Sequence, residues 1–206
     1  MTRHIIAIDP DVTKSGVAFL HLPSRDLRCE AKTFPELIDD LHAIKQATDA
    51  LGEPLVVVVE AGWINHSNWH TKARENARTA AAKGRDTGRN HEVGRKIIEM
   101  ARHMGIETVE QRPLRKCWQG ADRKITAPEL ASITGYTRRT SQDMRDAALL
   151  AWVYAGLPVR IAAPRSTVLR PGSYAPIRAQ VVRGLRPGEL DVVEEVRSRS
   201  YPLTAF

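Results

Sequence analysis

Five consecutive residues, Leu55-Val56-Val57-Val58-Val59, limit what this chain can become more than any other stretch. They are apolar on both faces of an extended run and mostly β-branched, so they read as a central strand with no face left for water. Such a strand has to be covered on both sides. Upstream, Leu37, Leu41, Ile44 and Leu51 recur at helical spacing behind Pro35 and stop at Gly52. Earlier still, Ile5-Ile6-Ala7-Ile8 reads as another buried strand. Residues 9–16 form a turn, and Val17-Ala18-Phe19-Leu20 closes a hairpin. A weaker strand lies near Leu27–Thr33. Hairpin, helix and strand in this order predict an α/β sheet.

The remainder is less regular. Residues 61–90 are polar and carry Trp63 and Trp69. A helix is expected from His91 to Met104, with Val93, Ile97, Ala101 and Met104 inward and Arg95, Lys96 and Arg102 outward. A short strand at Ile106–Glu110, a basic loop at 111–125 and a short helix at Pro128–Ile133 follow. A last helix runs from about Thr140 to Tyr154. After Pro158 prolines and scattered arginines replace the apolar periodicity. The expected organisation is one domain over residues 1–158 and an extension of unknown role over 159–206.

The charge is uneven. The chain carries +7 overall, and the segment from Lys72 to Pro128 holds 14 lysines and arginines against 7 acids, an excess equal to that of the whole chain. A polyanion would meet this middle third first; a solvated basic surface is the plainer alternative. No apolar run is long enough to span a membrane, and the first residues lack a leader's apolar region. The two cysteines, Cys29 and Cys117, have no metal or pairing pattern and suit a reducing cytoplasm, so a cytoplasmic location is expected. His66 and His70, four apart, could in principle hold Zn²⁺, but no third ligand is nearby in sequence.

Both apolar strands end in a carboxylate, Asp9 and Glu60. Each has an ordinary reading: Asp9 as opener of the turn at Pro10, Glu60 as a surface acid at a strand end. In the last helix Asp143 and Asp146 are three apart on the face continued by Ala147, Leu150, Ala151 and Tyr154. With Thr140 as N-cap, Asp143 could simply favour the helix start. Asp146 lies beyond the capping turn and points toward a core, where a lone charge is costly. Divalent cations would neutralise such a set. Oxygen donors suit Mg²⁺, with Mn²⁺ as a substitute, and two ions about 3.5–4 Å apart serve phosphodiester hydrolysis.

At these residues the sequence resembles the RuvC family of Holliday junction resolvases, within the RNase H-like superfamily. The resemblance covers roughly residues 4–156. It rests on "IIAIDP" with a loop to "SGVA", on "VVVVEAGW" and on "RDAALLA". The wording "RTSQDMRDAALLA" is similar to phage-type relatives. The resemblance implies a mixed five-stranded sheet flanked by helices and a homodimer acting on branched DNA. It implies metal ligation by Asp9, Glu60 and Asp146, with Asp143 as the fourth ligand, and functional lysines at Lys116 and Lys124. The loop with Arg112, Arg115 and Arg123, together with Trp63 and Trp69, would face DNA. Asn90 and Gly94 resemble the family's dimer helix. Where relatives have glycine after Asp-Pro, this chain has Asp11, whose tolerance of left-handed backbone could keep the turn.

The expectation is therefore a Mg²⁺-dependent endonuclease that cleaves branched DNA. Alternatives are a nuclease of the same superfamily acting on forks or RNA–DNA hybrids, and a non-catalytic DNA-binding relative. An actin-like sugar kinase fragment shares the strand-Asp-turn-Gly opening but needs a longer chain.

Overall fold

A computed structural model describes residues 2–65, 76–160 and 181–182. Trp69, His66 and His70 lie outside the described residues, as does most of the expected extension. Five strands form one sheet: β1 (His4–Asp9), β2 (Ser15–His21), β3 (Asp26–Lys32), β4 (Leu55–Glu60) and β5 (Glu107–Gln111). Their order is β3-β2-β1-β4-β5. The first three pair antiparallel, whereas β4 runs parallel to both β1 and β5. This is the mixed five-stranded sheet flanked by helices that the RNase H-like resemblance implies. A separate two-residue pairing joins β6 (Val159–Arg160) to β7 (Val181–Val182).

Residue parity divides the core. Ile6, Ile8, Val57 and Val59 face a layer built on Leu37 and Leu41 of α1 (Phe34–Leu51) and Ile97, Ile98 and Ala101 of α2 (Ala77–His103). Ile5, Ala7, Ala18, Val56 and Val58 face the other layer, α3 (Ala127–Thr134) and α4 (Gln142–Tyr154). Val56 to Val59 are all 0% exposed, so the valine run is covered on both sides as expected. α4 lies close to the sheet because small residues meet there: Ala7 and Ala18 against Ala147, Ala148 and Ala151. At Gly16 even a methyl group would not fit, since a Cβ would stand 2.1 Å from the Asp143 carbonyl oxygen.

Two expectations need correction, and a third residue gains a contact within the chain. α2 begins at Ala77, not near His91. Its first half buries no residue, so no apolar stripe announces it; Asn76 caps it by accepting from Thr79 N–H at 2.8 Å. α4 is capped by Ser141, not Thr140. The Thr140 carbonyl instead accepts from Arg145 at 2.9 Å. Finally, Gly94 supports close approach within the chain: a Cβ there would stand 2.6 Å from the Trp63 ring and 3.0 Å from Pro10. Its smallness is used before any partner is considered.

Candidate active site

Pairing register brings the two strand-end acids together. Ile8 lies beside Val59 in the parallel pair, so Asp9 and Glu60 follow as neighbours on strands about 4.8 Å apart. By parity Asp9 continues the Ile5–Ala7 face and Glu60 the Val56–Val58 face, which is the side covered by α4. α4 in turn presents Asp143 and Asp146 from its first two turns. Asp143 is held at the sheet by the missing side chain of Gly16, which pairs with Asp9 across the hairpin. The three separated acidic positions of the sequence thus meet at one end of the sheet.

Their electrostatics show the crowding. Burial raises the Asp9 carboxyl well above its ordinary range, and the charges of Glu60, Asp146 and Asp143 raise it further. Glu60 is pushed up to about 7, by burial first and by Asp146 next. Asp143 is raised by burial, with Lys124 opposing and Asp11 and Asp146 adding to the rise. Lys124 places its Nζ 3.2 Å from Asp146 Oδ2 and attracts Asp9, Glu60 and Asp143 as well. Burial lowers the pKa of the Lys124 ammonium, but Asp146 and its neighbours outweigh this and leave it raised. Lys116, exposed on the loop, acts on Glu60. Both lysines singled out in the sequence therefore bear on the carboxylates, and they leave a net negative cluster.

Two residues of this site carry no signal in the sequence. Gln142 donates from Nε2 to Asp146 Oδ1 at 2.8 Å and to the Ile125 carbonyl at 3.3 Å. Arg145 donates to the same carbonyl at 3.0 Å and to Gln142 Oε1 at 2.7 Å. One network therefore holds Asp146 and the backbone next to Lys124. The loop before Lys124 is strained: Asp122 and Arg123 adopt φ of 53° and 59°, a region costly for residues with a Cβ. Lys124 is held there by its own carbonyl, which accepts from Gly120 N–H at 3.0 Å, and Arg123 by its carbonyl accepting from Trp118 N–H at 3.1 Å.

Asp11 now has an account. Its carboxylate accepts from Thr13 N–H at 2.8 Å and from Asn90 Nδ2 at 3.4 Å. Asn90 returns the tie by accepting from Val12 N–H at 3.2 Å. Asp11 is not among the described residues with positive φ, so the turn uses its side chain and not a left-handed backbone. Asn90 accordingly clamps the β1–β2 loop to α2.

Trp63 sits half-buried in the turn Gly62–Ile64 after Glu60. Its indole donates to Glu110 Oε2 at 3.0 Å, and Arg95 lies 5.6 Å from the ring centroid. It is fixed against α2 rather than standing free. Arg112, Arg115 and Arg123 are exposed on the loop between β5 and α3. Cys29 is buried and Cys117 half-buried, with burial raising both thiols, so neither is poised as a nucleophile.

Among solved structures, this chain is similar to a junction-bound protein. It is T. thermophilus RuvC in complex with Holliday junction substrate, at 15% identity and a TM-score of 0.42, covering 74% of this chain and 92% of that one. No protein-family model matches the chain, and no curated protein matches it. At that identity and score the likeness decides nothing about the site, whose chemistry rests on the residues just described.

The donor set fits hard divalent cations. Carboxylate oxygens gathered in a buried place repel one another: burial raises Asp9 and Glu60 first, and the neighbouring acids raise both further. Mg²⁺ or Mn²⁺ prefers such oxygens.

Proposed function

We propose that this chain is a divalent-metal-dependent endonuclease acting on branched DNA. The observation that carries it is the meeting of Asp9, Glu60, Asp143 and Asp146 at one sheet end beside Lys124. Held by these four residues, divalent cations would supply water activation and charge neutralisation for phosphodiester hydrolysis. The protein's own groups do the rest. Lys124, held by the Gly120 contact and the Gln142–Arg145 network, offsets charge that grows on the phosphate in the transition state. Lys116 adds positive charge on the Glu60 side. Arg112, Arg115 and Arg123 position the phosphate backbone without reading sequence. The uncovered part of Trp63 offers a face to an unpaired base at a branch. Trp69 is assigned the same role from the sequence alone. A homodimer would present two such sites and cut paired strands.

The test is cleavage of a synthetic four-way junction with Mg²⁺ or Mn²⁺, compared with fork, duplex and RNA–DNA hybrid. Paired nicks in the junction, lost in Asp9→Asn while junction binding persists, are expected. Faster cleavage of the hybrid or the fork would move the assignment to another substrate of the same chemistry. Failure to cut any substrate with any divalent ion would leave only DNA binding.

A further inference from the structure

The opposite end of the sheet carries a second cluster of quite different chemistry. His4 opens β1 and His21 closes β2, and register places the two residues directly across from each other. Glu53 comes to the same spot from the chain entering β4, because Pro54 carbonyl accepts from both Arg3 and His4 N–H at 3.1 Å. One donor atom from each of His4, His21 and Glu53 lies within 4.8 Å of the other two. The six residues of β1 separate this cluster from Asp9 by about 17 Å.

We infer that His4, His21 and Glu53 form a binding site for Zn²⁺ or a similar borderline ion, which clips the ends of β1, β2 and β4 together. Two imidazoles and one carboxylate are the donors such an ion selects, whereas Mg²⁺ prefers oxygen alone. The ring geometry agrees. Two imidazoles sharing a tetrahedral Zn²⁺ at Zn–N distances of about 2.0–2.1 Å have centroids about 5 Å apart. Here the centroids are 5.0 Å apart.

Each ligand also has an outer partner. His21 Nδ1 meets Ser24 Oγ at 2.7 Å, which leaves Nε2 for the ion. Arg3 bonds one oxygen of Glu53, and His4 Nε2 meets the other at 2.5 Å. On binding, His4 exchanges that contact for the metal, while Arg3 continues to orient the carboxylate. The side chains of His4 and Glu53 are 25% and 19% exposed, so an ion can enter and a water can complete its shell. Leu22 N–H to Arg3 carbonyl at 2.9 Å fixes the third piece of backbone, so little has to move.

The test uses Zn²⁺ alone on the full-length chain purified without a histidine tag. Uptake of one Zn²⁺ per chain is expected, with a rise in Tm. Co²⁺ in its place should give the visible absorption of a tetrahedral site. His4→Gln with His21→Gln should abolish uptake, and Asp9→Asn with Glu60→Gln should retain it. Ser24→Ala, which leaves every ligand present, should weaken binding by roughly 10–100-fold and guards against a histidine variant that fails to fold. Uptake unchanged by the two histidine substitutions would overturn the site and point to His66 and His70. Loss of the ion with the carboxylate pair alone would overturn it as well. The outcome does not depend on whether the other end of the sheet cleaves DNA.

Discussion

Glu60 turns pH into a readout of the site. Its folded pKa of about 7 lies above the ordinary 4.5, so the folded chain holds that proton more tightly than the unfolded one. The stability this supplies is complete below about 4.5 and disappears as pH rises toward 7. Metal-free protein should therefore lose Tm over that window, Glu60→Gln should flatten the loss, and Mg²⁺ should recover it at the upper end. Asp146 depends on a different neighbour. Arg145→Ala or Gln142→Leu should lower metal affinity or cleavage by about 10–100-fold while binding of DNA stays close to wild type, read from cleavage against Mg²⁺ concentration. Neither residue was legible in the sequence, because the carbonyl they share belongs to Ile125, 17 and 20 positions away. The acids themselves were legible, since each ends an apolar strand or begins an apolar helix stripe.

Glycines separate the elements that build the site from those that do not. At Gly16 a methyl group would collide with the backbone of Asp143 and Met144. Gly16→Ala should cost about 1–3 kcal/mol in urea unfolding and weaken metal binding with it, because α4 must retreat. Gly84 and Gly88 in α2 have nothing within 4 Å of an added Cβ. Alanine at either should stabilise by about 0.5–1 kcal/mol, measured the same way. The same contrast explains what could be read beforehand. β1 and β4 announce themselves by continuous apolar runs, and α4 by its stripe. The first half of α2 touches no core, so only alanine content and the Asn76 cap mark it, and helix propensity without a stripe is a weak signal.

Across the molecule, the proposed function makes charge the property that would set how DNA is met. The excess of +7 lies between Lys72 and Pro128, a segment that includes α2 and the loop that ends at Lys124. Junction binding by the Asp9→Asn protein should fall steeply with salt, and Lys116→Ala or Arg123→Ala should each reduce the slope of log affinity against log salt by about 1. An α/β sheet was legible because a strand apolar on both faces has to be covered on both sides, whereas the mixed five-stranded order came with the family resemblance. The Gly94 contact was not, since a glycine in a helix states that something comes close without saying what. The place of α4 has one more consequence. Asp9 leaves the ribosome first, yet the site it serves needs Asp143 and Asp146, made more than 130 residues later. A nascent chain stopped before Gln142 would own both strand-end acids and a sheet face without α4, but not the four-carboxylate set. Under the proposed function, the order of synthesis would leave an unfinished copy without the full set of carboxylates that metal binding needs.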